Sequence, residues 1–331
     1  MREVKSLSYS SLSLWESRPD EFYLTRLAER RSPRQPQERP AAAGSAFDAR
    51  VKSTLYAELK LGSDPKYTYP ALFEAQVEPH NRDWAGPEGE YVFQAYKTSG
   101  FYDELFDYLK VSKEAPRFEF TVEAIIDGVP FTAKPDLRWI TPLGVHLIHD
   151  WKVNGYCSKN LTSPCKSYIK VKDGFSHDSE KPSRGDGQEH REFLALLYKD
   201  IKINTTYLEV SNDKWADQLG MYGWSLGEKI GDEDVVLSVH QIVAKPRSPK
   251  RPLLRVASYR ARVAAAYQLQ VADRLKRCWD SIQTGHIFAD MSREESDGKC
   301  KLLDNVAEGI QSTGSLEDTY FNEVTRPRYR G

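Results

Sequence analysis

Between Phe118 and Val153 the chain alternates apolar and polar residues with the two-residue period of half-buried strands, in three runs joined by two turns. In residues 118–126, Phe118, Phe120, Val122 and Ala124 interleave with Glu119, Thr121 and Glu123. Asp127-Gly128 follows, a dipeptide that accepts the positive φ angles of a two-residue hairpin turn. Pairing Ile126 with Val129 carries the register back to set Glu119 opposite Asp136. The second run places Phe131, Ala133, Pro135, Leu137 and Trp139 on one face, and Thr132, Lys134, Asp136 and Arg138 on the other. After a turn at 141–144, residues 145–153 repeat the pattern, and Asp150 and Lys152, two apart, project together.

Other stretches carry a helical period. Phe47, Val51, Leu55 and Leu59 form one stripe across 44–61, with Asp48 beside it. Ser8, Ser10 and Ser11 open a helical N-terminal part that is interrupted at Pro19 and resumes through Phe22, Tyr23, Leu24 and Leu27. Helices are also expected at 91–109, 189–198, 215–226 and 264–284, and strands at 235–244 and 253–263. The helix at 215–226 sets Gln218 and Tyr222 on one face, four residues apart. Residues 29–43, rich in Pro, Arg and Gln, predict an exposed linker, and 62–89 predicts loop. The polar stretch 154–213 predicts a long mobile insertion, of which 159–184 is expected to move on nucleic-acid binding, and 286–331 predicts an irregular tail.

Three carboxylates, Glu119, Asp136 and Asp150, thus converge with Lys152 on one sheet face. Like charges on neighbouring strands repel, and a divalent cation would relieve the repulsion. Hard oxygen ligands suit Mg2+ or Mn2+, and a nearby lysine can orient or help deprotonate a water attacking a phosphodiester. An ordinary antiparallel meander with a solvated charged face fits the same pattern.

With 47 Lys and Arg against 48 Asp and Glu, the 331-residue chain has no global attraction to a polyanion, so nucleic-acid contacts must come from local patches. One such patch is expected from Lys245 to Arg251 with Arg255, Arg260 and Arg262. Four cysteines, Cys157, Cys165, Cys278 and Cys300, form no C-x-x-C pair, which speaks against disulfides and structural zinc and for reduced thiols in the cytoplasm. Neither a leader nor a membrane span is expected, because no apolar run has the length.

Lys134-Pro135-Asp136 followed by Asp150-Trp151-Lys152 resembles the signature of the PD-(D/E)xK nuclease superfamily. Gly44-Ser45-Ala46-Phe47-Asp48 is similar to the G-x-x-x-H element of its RecB-like branch, found in CRISPR-associated and phage-type exonucleases, with Asp48 in the place of the histidine ligand. Gln218 and Tyr222 match the Q-x-x-x-Y element in the expected order, after the D-x-K strand. The resemblance covers about residues 7–284 by motif order.

It implies an α/β fold with a restriction-endonuclease-like core, a central mixed sheet flanked by helices, within a nuclease domain spanning 1–285. It further implies DNA phosphodiester hydrolysis, with exonuclease action on single-stranded ends as the expected form. Asp136, Asp150 and the Trp151 carbonyl would hold the catalytic metal, Glu119 would support it or a second ion, and Lys152 would position the water. Gln218, Tyr222, Arg255 and Lys245 would contact the DNA. Asp48 adds a hard oxygen ligand, so Mg2+ should be favoured, and four carboxylates could balance two ions. Arg18 before Pro19 and the isolated Cys300 depart from the iron–sulfur members, so no iron–sulfur cluster is expected. The rival functions are a non-catalytic nucleic-acid-binding module and a structural protein with this fold.

Overall fold

The computed structural model describes residues 1–30, 36–154, 168–171, 177–178, 195–244 and 254–313. In chain order the helices are α1 (Tyr9–Ser17), α2 (Pro19–Phe22), α3 (Arg39–Glu58), α4 (Tyr69–Gln76), α5 (Arg82–Thr98), α6 (Phe101–Lys110), α7 (Leu208–Ser211), α8 (Asp213–Ser225), α9 (Ala265–Thr284) and α10 (Arg293–Thr313). The strands are β1 (Arg117–Phe118), β2 (Val122–Ile126), β3 (Val129–Ala133), β4 (Leu137–Ile140), β5 (His146–Asn154), β6 (Tyr168–Val171), β7 (His177–Asp178), β8 (Ala195–Tyr198), β9 (Ile201–Asn204), β10 (Val235–Ala244) and β11 (Leu254–Ala261). Contacts divide the chain into two units, one from Met1–Gln35, Val122–Ala133 and Leu269–Gly331, the other from Pro36–Thr121 and Lys134–Gln268.

The second unit is built on a mixed sheet that, among the described residues, runs β1-β4-β5-β10-β11-β6-β7. Only β5 and β10 pair in parallel there, with Asp150 beside Val239 and Lys152 beside Gln241. Strand β10 buries apolar residues on both sides because helices cover both faces. On one face Leu147, Trp151, Val236 and Ile242 pack with Phe47, Val51 and Leu55 of α3 and Val92 and Tyr96 of α5. On the other, Ile148, Leu237 and Val239 pack with Trp215 and Leu219 of α8. The expected α/β architecture, a mixed sheet flanked by helices, is therefore present.

Helices α3 and α5 approach closely because residue 89 is glycine. A Cβ there would stand 2.5 Å from Ala46 Cβ, 2.7 Å from the Ala46 carbonyl carbon and 2.8 Å from Phe47 N. In the first unit β2 and β3 form the Asp-Gly hairpin, and Leu7 bridges to Phe131 in parallel. Helix α1 starts where Ser8 Oγ accepts from Ser11 N, and α2 starts at Pro19, whose fixed φ suits a first helical turn. Asp20 and Tyr23 tie to α10 through Lys299 (2.6 Å) and Asp304 (3.0 Å).

Several expected elements differ. Residues 29–43 do not form a linker throughout: α3 begins at Arg39 and buries Ala42 and Ala43. The expected loop at 62–89 contains α4 and the first half of α5, hidden in the sequence by Gly86, Pro87 and Gly89. The single helix at 91–109 is two, parted at Gly100, whose φ of +81° no helix continues. Of the helix expected at 189–198, residues 195–198 form strand β8, paired with β9. The mobile insertion at 154–213 is packed structure from β8 onward, with Ile201 and Ile203 buried, while its part at 159–184 lies largely outside the described residues. The irregular tail at 286–331 contains α10, which buries Ser296, Leu303 and Ala307. No helix of the described residues is long and apolar enough to cross a membrane.

Candidate functional site

The long hairpin expected from 118 to 139 is broken on both strands, and the break positions two of its carboxylates. Pro135 has no N–H for the ladder, and on the facing strand Glu119, opposite the next residue Asp136, turns to φ +41°, so β1–β4 and β2–β3 belong to separate sheets. No residue is gained or lost across the interruption. Phe118 pairs with Leu137 and Val122 with Ala133, as the Asp-Gly turn dictates, and Glu119 N donates to the Asp136 carbonyl at 3.0 Å.

Asp136 stands at the entrance of β4 and accepts from Trp151 N of β5 on Oδ2 at 3.4 Å. Asp150, one residue earlier on β5, is buried. Its Oδ2 lies 2.6 Å from Lys152 Nζ but has no donor aligned for a hydrogen bond. Lys152 Nζ donates to Gln218 Oε1 at 2.9 Å, and Gln218 Nε2 donates to Tyr222 Oη at 3.1 Å. The one-turn spacing of Gln218 and Tyr222 on α8 thus places both beside the D-x-K strand.

Lys52, absent from the expected site, stands at its centre. Its ammonium, 1% exposed, lies 2.6 Å from Asp48 Oδ2, 2.8 Å from Asp136 Oδ1 and 3.2 Å from Glu119 Oε2. The sequence signal is the Asp48–Lys52 spacing, one helical turn on a helix whose neighbouring stripe is apolar. Gln76 carries no signal in the sequence, where its segment predicts loop; it donates to Glu119 Oε2 at 2.7 Å, while Lys134 pairs with Oε1. Asp48, Lys52, Gln76, Glu119 and Asp136 line an open cavity of about 250 Å³ whose wall includes Trp151.

The charges divide unevenly. Burial opposes ionisation of Asp136 and Glu119, but Lys52, together with Lys152 at Asp136 and Lys134 at Glu119, holds both below the usual carboxylate range. Burial pushes Asp48 and Asp150 up, each with the negative Asp136 adding to the effect. Lys52 and Lys152 are held above the usual ammonium range against burial, Lys52 chiefly by Asp136 and Lys152 chiefly by Asp150. Lys152 is therefore an ammonium that donates hydrogen bonds.

Other expected contacts fall elsewhere. Arg255, 8% exposed, is buried on β11, and Arg260, equally buried, pairs with Glu104 at 2.6 Å, so neither presents a solvent-facing cation to a phosphate. Lys245, Cys157 and Cys165 lie outside the described residues. Among the described residues no group of three His, Cys, Asp or Glu side chains is set to hold one ion.

No protein-family model matches the chain, and no curated protein matches it in sequence.

Proposed function

We propose that the protein is a metal-dependent nuclease of PD-(D/E)xK type on a restriction-endonuclease-like core, cleaving DNA phosphodiester bonds, with exonuclease action on single-stranded ends. The observation that supports this reading is the chain Asp136, Asp150, Lys152, Gln218 and Tyr222, brought from a strand entrance, a strand and a helix onto one side of the sheet.

The donor set fits a hard divalent ion. Asp136 and Asp150 offer carboxylate oxygens, and the buried Asp150 Oδ2 has an electrostatic partner but no aligned hydrogen bond. These two, with the Trp151 carbonyl, would hold Mg2+ or Mn2+. Such an ion, when bound, polarises the phosphate and lowers the pKa of a water.

The chain's own residues do the rest. Asp150 keeps Lys152 protonated, and Gln218 fixes the direction of its Nζ. The ammonium donates to the attacking water or to a phosphate oxygen and steadies the charge that grows there. Tyr222, kept neutral by burial, is a further donor to the strand. The water oxygen bonds to phosphorus and gives up a proton to solvent, the bond to the leaving alcohol breaks, and the leaving oxygen takes up a proton from solvent.

A structural reading is favoured by one observation, the nearly complete pairing of Lys52, which resembles a buried ion network kept for packing. One assay separates the two. End-labelled single- and double-stranded DNA and RNA are incubated with Mg2+, Mn2+ or chelator. Cleavage of DNA that needs the ion, and that Asp136→Ala, Asp150→Ala and Lys152→Ala each abolish without unfolding, is expected. No cleavage by the wild-type chain in either ion would overturn the nuclease reading.

A further inference from the structure

We propose that Lys52 takes the place of a second metal ion, so that the site accepts one divalent cation, at Asp136 and Asp150, rather than two. The inference rests on the nuclease reading above and deepens it.

The geometry is that of a cation shared among carboxylates. A single Nζ reaches oxygens of Asp48, Asp136 and Glu119 at 2.6, 2.8 and 3.2 Å, donating hydrogen bonds to Asp136 and Glu119 and ion-pairing with Asp48. The donors come from different elements: Asp48 from α3, Glu119 from the turn after β1, and Asp136 from the entrance of β4. Gathering carboxylates from separate elements is what a bridging ion does in a two-ion site, and here a covalently tethered ammonium does it.

Charge points the same way. Asp48, Glu119, Asp136 and Asp150 carry four negative charges when ionised, and the Lys52, Lys134 and Lys152 ammoniums paired with them carry three positive ones. One negative charge remains, which a single divalent ion already more than neutralises. A second ion would have to enter among oxygens already in contact with Lys52, where cation repels cation. Glu119 has no spare oxygen either, because Lys134 takes Oε1 while Lys52 and Gln76 share Oε2.

The two oxygens of Asp136 are thereby assigned separately. Lys52 holds Oδ1, and Oδ2 is directed at β5, where Trp151 N approaches at 3.4 Å. Lys52 is a positioning residue: it fixes the carboxylate that holds the ion and touches no substrate.

The test counts ions on the full chain, free of DNA. Mn2+ is titrated with the unbound ion read by electron paramagnetic resonance, and Mg2+ by calorimetry. One ion per wild-type chain is expected, and two for Lys52→Met, where the emptied carboxylates accept the second. Should Lys52→Met fail to fold, Asp48→Asn combined with Lys52→Met removes opposite charges together and is expected to bind one ion, more weakly than the wild type because Asp136 has lost the contact that fixes it. Two ions on the wild type, one on a folded Lys52→Met, or none on the double variant would overturn the inference. Two ions on a wild-type chain that cleaves DNA would sink this inference alone. A wild type that binds no ion would sink the nuclease reading and this inference with it.

Discussion

Gly89→Ala tests how the helical layer holds the site. The added Cβ would meet Ala46 Cβ at 2.5 Å, with backbone atoms of Ala46 and Phe47 at 2.7 and 2.8 Å, so no flexible side-chain end can move aside. Carbon atoms rest at about 3.5–4.0 Å, so α3 and α5 must part by roughly 1 Å. Overpacking against backbone costs about 3 kcal/mol, toward the upper end of such substitutions. The better helix preference of alanine returns at most about 1 kcal/mol, leaving the variant about 2 kcal/mol less stable. The displacement also acts at a distance, because α3 carries Asp48 and Lys52. A shift of about 1 Å would stretch the 2.8 Å contact of Lys52 with Asp136 beyond hydrogen-bond range. Urea unfolding of Gly89→Ala beside Gly220→Ala measures this. Gly220 lies inside α8 with nothing within 4 Å of its virtual Cβ, so alanine there should stabilise by about 0.5–1 kcal/mol. If Gly89→Ala proved as stable as Gly220→Ala, the close approach of α3 and α5 would be refuted.

Two more outcomes are expected. Burial, with Arg260 adding, holds the His149 imidazole down to about 3 from an ordinary 6.5, so below pH 6.5 the unfolded chain binds a proton that the folded chain refuses. Stability is lost as pH falls, by about 2 kcal/mol between pH 7 and 5 for this group; His149→Asn, which keeps an acceptor or donor toward Ser238, should lose about that much less over the same interval, and equal slopes in paired melts would contradict the buried neutral state. Gln218→Leu removes the oxygen that aims Lys152 and should slow DNA cleavage about 100-fold with Mn2+ affinity unchanged, whereas a parallel fall in ion affinity would place Gln218 with the metal ligands.

Local signals in the sequence reached far, and their limits are physical. The Asp127-Gly128 turn fixed a register that holds on both sides of an interruption the alternation did not reveal. Pro135 fits the alternation as one more apolar position, although its missing N–H ends the ladder there, and Glu119 answers with a left-handed backbone. Gln218 and Tyr222 were legible because a helical period alone brings them together. Lys52 was not, since its three carboxylates come from places that only the tertiary fold unites, and a lysine at a stripe's edge reads as a solvated flank. The helices at 69–76 and 82–98 were concealed for a related reason: Gly86 and Gly89 look like loop residues until the neighbouring α3 supplies the need for a small residue.

The interrupted hairpin also bears on the order in which the protein assembles. The Asp-Gly turn and the strands beside it are local and can form early, but the contacts that make the candidate site are not. Lys52 meets Glu119 across 67 residues and Asp136 across 84, and Lys152 meets Gln218 across 66. Contacts of such separation form only after chain entropy has been surrendered elsewhere. During synthesis Asp136 and Asp150 therefore emerge well before Gln218, the residue that directs Lys152. A chain stopped before α8 would carry the acidic residues without that constraint, so the direction of Lys152 is set only once α8 has packed onto the sheet.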